Sequence, residues 1–367
     1  MKRVLFVLPN LQVGGAERVV LTIARSLDTS RFHATLFLLK REGTYLSLVP
    51  EALALRYGID SGRLAPNVPR VIARLARAAL GADIVVGALE THSTYFAALA
   101  ARAVGKPFVA WVHTDLRQYF ATLGAVHAGL SRAAYRTADA IVFPSRRAAE
   151  SGAAWIGLGE GVQVEVVANP FDPTGYPAAG VATEHEAIFT GPVVLGIGRL
   201  VREKGFDTLL RAHARLCAAG RHVRLAILGL GPEERALRAL AAELGVAGSV
   251  HFLGFAPNPL AYLRRATVFA HAARFEGFGM VLVEALWAGV PVVASDCPGG
   301  PYEVLDGGRF GRLVPVDAPD TLAAVLGDLL ESGVARAQFI ERGPERARDF
   351  AVERIVPRWE ALLGVLA

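Results

Sequence analysis

Two glutamates eight positions apart, Glu276 and Glu284, frame the segment of this chain best suited to chemistry. Between them Gly277-Phe278-Gly279 opens an apolar run that closes at Gly289, with Pro291 just beyond. A glycine and then a proline at the end of such a run mark a helix terminus. Glu276 is therefore predicted in the loop ahead of a helix and Glu284 in its second turn. Glycines let a ligand approach the backbone closely, and the free N–H groups of a helix start suit a diphosphate or sugar oxygens. Two carboxylates at such a place can accept hydrogen bonds from vicinal hydroxyls, as in a sugar and a ribose. The plainer alternative is a carboxylate favoured by the helix dipole and a surface residue. It fits less well, because Glu284 stands among Val283, Ala285, Leu286 and Ala288.

Other groups join this pair. Arg199, Arg202 and Lys204 precede a helical pattern beginning at Phe206. Cations at a helix N-terminus oppose the dipole, which a bound anion would relieve; a solvated helix start is the plain alternative. Gly196-Ile197-Gly198 lacks the third glycine of a dinucleotide fingerprint, since Val201 stands there. His113 follows the apolar run Phe108–Val112 and begins a loop with Thr114 and Asp115. It should sit at the carboxyl end of a strand, where a neutral imidazole can exchange a proton near pH 7. A hydrogen-bonded loop histidine is the competing reading. His92 closes a similar segment, Glu90-Thr91-His92.

The elements that must position these residues alternate. Strands are expected at Val4–Leu8, His33–Leu39, Ile84–Val86, Pro107–Val112, Ala140–Phe143 and Val164–Val167, with helical patterns between several of them. A linker composition, Asn169 to about Ala182, interrupts the series. Strands then resume at Val193–Ile197, Val223–Leu228, Val250–Leu253, Val268–Ala270, Val290–Ala294 and Leu313–Val314. Such alternation implies α/β architecture with parallel sheets built from βαβ units. Two doubly wound, Rossmann-like domains are expected, residues 1–170 and 171–350, facing across a cleft, with a last helical segment, 351–367, packing back on the first domain. In open α/β sheets ligands bind beyond the carboxyl ends of the strands.

Composition narrows the class. The 367 residues suit two domains, and 53% hydrophobic with 20% charged residues excludes a disordered chain. Two cysteines, Cys217 and Cys297, exclude a disulfide scaffold. The longest run without Asp, Glu, Lys or Arg, Leu244–Leu263, has 20 residues, but three glycines, Pro257, Pro259, Asn258, Ser249 and His251 interrupt it, so it does not read as a membrane span. Val4–Leu8 is too short for the core of a secretory signal, so a cytoplasmic location is expected. Up to Pro170 there are 19 Lys and Arg against 12 Asp and Glu, an excess of +7; the remainder, 20 against 22, carries −2. A basic first half suits an anionic partner such as a membrane surface or a phosphorylated lipid. On the helical stretch Pro69–Leu80, Arg70, Arg74 and Arg77 share one face, which would suit peripheral contact with an anionic membrane.

The segment Phe275-Glu276-Gly277-Phe278-Gly279 with Glu284, followed by Gly289-Val290-Pro291-Val292-Val293-Ala294-Ser295-Asp296-Cys297-Pro298-Gly299-Gly300-Pro301, resembles family 4 of the retaining glycosyltransferases. Gly14-Gly15-Ala16-Glu17-Arg18, Gly198-Arg199-Leu200 with Glu203-Lys204-Gly205, Phe252-Leu253-Gly254-Phe255 and Gly311-Arg312-Leu313-Val314-Pro315 extend the likeness over nearly the whole chain. The resemblance implies the GT-B fold, an N-terminal acceptor-binding domain and a C-terminal domain for the nucleotide-sugar. It implies that Arg199 and Lys204 bind the donor diphosphate. It also implies that Glu276 and the Gly277–Gly279 amides, with Phe278 between them, hold the sugar, that Glu284 holds the ribose, and that Phe255 lies beside the base. Gly14 and Gly15 would form a glycine loop closing on the diphosphate, and His113 would touch the donor sugar. His92 and Asp115 are weaker candidates for the acceptor side.

The expected activity is transfer of a hexose or N-acetylhexosamine, with UDP as the expected nucleotide, to a hydroxyl of a lipid-linked or polysaccharide acceptor in surface-glycan synthesis. Fixed cations can stabilise the charge of a departing nucleoside diphosphate. With no His-x3-His pair and no Asp-x-Asp in the chain, no metal and no other cofactor are expected, and no nucleic-acid partner. A nucleotide-sugar epimerase of the same fold and a non-enzymatic two-domain solute-binding protein are the alternatives. An epimerase would act without an acceptor, and a binding protein would show no turnover.

Overall fold

The computed structural model describes residues 1–12, 14–158 and 161–366. Val13, Gly159, Glu160 and Ala367, which fall within the expected domains, lie outside the described residues. The chain divides into two units, Met1–Pro170 with Ala351–Ala367, and Phe171–Phe350.

The first unit contains β1 (Lys2–Leu8), α1 (Gly15–Ser26), β2 (Phe32–Lys40), β3 (Ala54–Ile59), α2 (Val68–Leu80), β4 (Ile84–Ala88) and α3 (His92–Val104). It continues with β5 (Phe108–Trp111), α4 (Leu116–Leu123), α5 (Ala125–Tyr135), β6 (Ala140–Phe143), α6 (Arg146–Ile156) and β7 (Gln163–Val166). The strands form one seven-stranded sheet in the order β3-β2-β1-β4-β5-β6-β7, and every pairing is parallel. The central strands β4, β5 and β6 are buried along their whole length, as a parallel sheet covered on both faces requires. Order reverses between β1 and β4, where Val7 pairs with Gly87, and β4 pairs with β5 on its other side, Ala88 opposite Trp111.

The second unit contains β8 (Val193–Ile197), α7 (Phe206–Ala218), β9 (Arg224–Leu228), α8 (Glu234–Glu243), β10 (Val250–Gly254), α9 (Pro259–Leu263), β11 (Val268–His271) and α10 (Met280–Ala288). After these come β12 (Val292–Ser295), α11 (Pro301–Val304), β13 (Arg312–Val314), α12 (Pro319–Glu331) and α13 (Gly333–Ala347). Its six-stranded sheet runs β10-β9-β8-β11-β12-β13, again all parallel, with the reversal between β8 and β11. Gly343 of α13 meets α10 so closely that a β-carbon there would stand 2.9 Å from the Leu286 carbonyl. The last helix, α14 (Val352–Leu366), belongs to the first unit. Its fully buried Trp359 lies 4.2 Å, ring to ring, from Trp111 of β5, and Glu360 accepts from Arg31 at 2.9 Å.

Besides the four-residue α11, three elements have no counterpart in the sequence reading. Strand β3 lies at the sheet edge and is only half buried, so its residues ALRYGI show no clean apolar run. Helix α6 carries Ser151 and Gly152 in its middle, and α13 carries Pro344, residues that weaken a helical pattern. Packing against their own sheets and neighbours, rather than propensity, decides all three.

Candidate active site

In the second unit the predicted donor residues gather at the carboxyl ends of β8, β10, β11 and β12. The turn after β8 ends at Gly205, whose left-handed φ of 62° is combined with a close approach: a β-carbon there would stand 2.0 Å from the Ala272 carbonyl oxygen. That contact brings the turn against the end of β11 and places Lys204 beside Glu276. The two form an ion pair, with the lysine 18% and the glutamate 11% exposed. His271 Nε2 lies 3.0 Å from the same carboxylate oxygen. Burial alone would raise the Glu276 carboxyl, but Lys204 and His271 override it and hold it down at about 2. Glu276 is thus a permanent anion at neutral pH, held close to a cation. Arg199 lies on the same loop, 65% exposed and 3.4 Å from Glu203.

The loop from Glu276 to Gly279 is shaped from below. Glu276 N–H donates to the Pro298 carbonyl at 3.0 Å. Gly299, at φ +108°, and Gly300 run directly beneath: β-carbons there would stand 1.8 Å from the Glu276 carbonyl oxygen and 2.3 Å from that of Phe278. Phe278 is buried, edge-on to Phe350 at 5.3 Å, which anchors the loop between its two glycines. Gly279, left-handed at φ 87°, then starts α10. One turn into α10, Glu284 accepts a 2.5 Å hydrogen bond from the Tyr176 hydroxyl. Phe255, just past β10, is 42% exposed.

Two residues of this unit have contacts that the sequence does not reveal. Arg274 donates to Asp207 at 2.8 Å and stands 2.8 Å from Asp317, while its Nη1 bonds the Arg202 carbonyl at 2.6 Å. The Asp207 hydrogen bond, then Asp317, hold the guanidinium above its ordinary pKa. Arg274 therefore ties the Lys204 turn to the end of β11; its place two residues before Glu276 is the signal that could have marked it. Cys297, buried beside Glu276, has its thiol pushed up by burial and then by that carboxylate, which makes it inert.

In the first unit the candidate residues meet at the ends of three neighbouring strands, β1, β4 and β5. Gly14 caps the start of α1 in extended conformation, and the Glu17 carboxylate folds back over it: a β-carbon on Gly14 would stand 2.1 Å from Glu17 Oε2. Gly15 is the first residue of α1. His113 follows β5 with both ring nitrogens buried and without a protein partner, its ring 4.6 Å from that of Trp111. Burial pushes its pKa down to about 3. Burial therefore favours the neutral imidazole at His113.

Between them stands Glu90, which the sequence reading passed over. Its Oε1 accepts from the His113 backbone N–H at 2.6 Å. Burial raises its carboxyl to about 7, and the Glu17 charge adds to the rise, against the pull of the His113 and Thr114 amides. The residues on either side, Leu89 (φ 75°) and Thr91 (φ 65°), both take positive φ. Non-glycine residues held in such regions cost about 1–3 kcal/mol each and cluster at functional sites. The hydroxyls of Ser93 (2.8 Å) and Thr94 (2.6 Å) both bond the Leu89 carbonyl and hold the bend.

The weaker acceptor candidates differ. His92 opens α3, with its ring 5.9 Å from Tyr95 and 6.0 Å from His127. Asp115 is buried and caps α4, one oxygen accepting from the Gln118 N–H at 2.9 Å, while its Oδ2 is buried without a partner. Among the described residues no three His, Cys, Asp or Glu side chains come together to hold a metal ion. Among them also, no helix is long and apolar enough to cross a membrane.

Two parallel, Rossmann-like α/β units with these strand-end sites define the GT-B class. The Anabaena protein HepE, in a crystal structure with UDP and glucose, superposes with a TM-score of 0.85 over 100% of both chains at 22% identity, a likeness of fold. Residues 13–175 match the family model "Glycosyltransferase Family 4", and residues 184–346 match "Glycosyl transferases group 1". Together these matches span most of the chain, and the chain belongs to this family of glycosyltransferases.

Among curated relatives, it is 36% identical over 157 residues to a Campylobacter jejuni protein, covering 43% of this chain and 42% of the other. That relative is N-acetylgalactosamine-N,N'-diacetylbacillosaminyl-diphospho-undecaprenol 4-alpha-N-acetylgalactosaminyltransferase. The chain is also 32% identical over 208 residues to the lipopolysaccharide core biosynthesis glycosyltransferase LpsE of Rhizobium meliloti, covering 56% and 59%. The chain spans about half the length of the curated relatives it matches.

Proposed function

We propose that this protein is a retaining glycosyltransferase of surface-glycan synthesis. In this reading it moves a hexose or N-acetylhexosamine from a nucleotide-sugar, with UDP as the nucleotide, to a hydroxyl of a lipid-linked or polysaccharide acceptor. The observation that carries the reading is the Lys204–Glu276 ion pair above the Gly299–Gly300 floor. A diphosphate brings negative charge to Lys204 and Arg199, and both cations gain interaction as the leaving group accumulates charge. Glu276, ionised throughout the neutral range, accepts hydroxyls of the donor sugar, and the Gly277–Gly279 amides take its other oxygens. Glu284, oriented by Tyr176, accepts the ribose hydroxyls, and exposed Phe255 flanks the base. Because Glu276 is committed to Lys204, no protein nucleophile is assigned. In this reading His113 touches the donor sugar, and His92 remains a weaker candidate for the acceptor side.

The Anabaena complex holds UDP and glucose, and the Campylobacter enzyme is named for a lipid-diphosphate substrate; both support this assignment. The cations Lys204 and Arg199 supply the neutralisation that a divalent ion supplies in other transferases, so transfer is expected to persist in EDTA. Proton NMR of the product made in EDTA tests both points: an α-linked product from an α-linked donor agrees. A β-linked product, or no product until metal is restored, overturns the assignment.

The arginines of α2 extend the proposal to an anionic membrane. Arg70, Arg74 and Arg77 are all exposed, and Arg74 also bonds the Gly58 carbonyl at 3.0 Å. Replacing all three with glutamine is expected to weaken binding to anionic vesicles while transfer to a short water-soluble acceptor is kept. Sedimentation with vesicles checks this, and undiminished binding would discard the contact.

A further inference from the structure

Glu90 stands where the strand order of the first sheet reverses, at the end of β4 and between the ends of β1 and β5. Ligand sites in open α/β sheets form at such switch points. Both neighbours in sequence, Leu89 and Thr91, hold positive φ without being glycine, and two hydroxyls lock the bend. This local arrangement fixes the direction of one side chain, that of Glu90. One of its oxygens takes the His113 N–H, so the carboxylate also sets the path of the loop that carries the imidazole. Among the described residues no cationic side chain pairs with it, and its residue surface is partly open. The groups facing it are Glu17 from α1, His113 from the loop after β5, and Tyr135 from α5. Beside it the His113 ring nitrogens are buried and unpartnered. A carboxylate without a cation, next to unpartnered imidazole nitrogens and a second carboxylate, calls for a neutral ligand that donates hydrogen bonds. A sugar hydroxyl is such a ligand; a phosphate would be repelled by both carboxylates.

We propose that Glu90 is an acceptor-contacting residue, which accepts a hydrogen bond from a hydroxyl of the incoming sugar or alcohol while it positions the His113 loop through the backbone. The inference rests on the transferase reading above and adds to it the group that receives the acceptor. Its charged form is the one that accepts the hydroxyl proton most strongly. Transfer should therefore fall as pH drops below about 7, where the carboxyl takes up a proton.

The test uses the full chain, a panel of UDP-, GDP- and ADP-sugars, and octyl glucoside and octyl N-acetylglucosaminide as acceptor probes, read by nucleoside diphosphate release. Glu90→Gln is expected to raise the half-saturating acceptor concentration about tenfold, the loss of one hydrogen bond to a charged group. The donor half-saturation should stay within about twofold, and the fall of transfer below neutral pH should disappear. Glu90→Asp, which keeps the charge, should recover that pH limb. Wild-type acceptor saturation and pH profile in Glu90→Gln would overturn the proposal. So would an equal loss for donor and acceptor with the pH limb intact, which is the mark of a structural role. If the wild type releases no nucleoside diphosphate with any pair and binds none, the transferase reading fails and this proposal falls with it. Turnover by the wild type with an unaltered variant removes only the proposal.

Discussion

Replacing Lys204 with methionine is expected to lower transfer by about 10²–10³-fold, the scale of removing one preorganised electrostatic contact to a developing charge. The same change should destabilise the protein by about 3 kcal/mol, because it leaves Glu276 enclosed and without its cation. At 18% and 11% exposure the pair is screened too little for solvent to absorb that loss. The two effects separate in a second variant. Lys204→Met combined with Glu276→Gln removes the stranded charge, so stability should return toward that of the wild type while transfer stays low. Urea unfolding and nucleoside diphosphate release measure the two quantities. The pH dependence has a definite sign. The Glu276 carboxyl sits at about 2, below its ordinary range. Its contribution to stability is therefore full above the usual carboxylate range and disappears as pH falls toward 2. In the double variant this acid-side loss should shrink. A double variant as unstable as Lys204→Met, or a single variant with ordinary transfer, would break the argument.

Gly299→Ala should cost transfer about a hundredfold without touching any group that does chemistry. Its φ of +108° is poorly tolerated by alanine, and the new methyl would stand 1.8 Å from the Glu276 carbonyl oxygen. Backbone faces backbone there, so relief must come from moving the Glu276–Gly279 loop, and displacements of about 1 Å in a binding loop can reduce rates on this scale. The Glu276 carboxylate and the amides that follow would move together, so donor affinity and rate should both decline. Gly248→Ala serves as the control, since nothing lies within 4 Å of a β-carbon there. Comparable transfer in the two alanine variants would show that the loop does not depend on its glycine floor.

The second unit was largely legible because its chemistry is written in consecutive residues. All six of its strands were visible as short apolar runs, and the helix from Met280 was bounded by Gly279 and Gly289. What joins the pieces was not visible. Arg274 contacts Asp207 and Asp317, respectively 67 and 43 positions away, and nothing in local sequence marks such a contact. Cys297-Pro298-Gly299-Gly300 was recognised as a pattern, yet its role as a floor under Glu276 depends on distances that only the fold supplies.

In the first unit the sequence pointed to His113 but not to Glu90. A histidine after an apolar strand stands out by its type, whereas a single glutamate at a strand end looks like any solvated residue. Its distinction lies in the positive φ of Leu89 and Thr91 and in the hydrogen bond to His113, which are properties of the backbone. Strand β3 was missed for the opposite reason: at the edge of the sheet it needs no unbroken apolar run.

The most direct measurement of the central claim is nucleoside diphosphate release by the purified protein from a panel of UDP-, GDP- and ADP-sugars in EDTA, run beside thermal unfolding with each donor. The account predicts that one donor, a UDP-sugar, raises the unfolding temperature and releases UDP, slowly without an acceptor and faster with an octyl glycoside. It further predicts that Lys204→Met loses both responses. No release and no thermal protection from any donor would contradict it, because a site built from Lys204, Arg199 and Glu276 for a nucleotide-sugar must at least bind one.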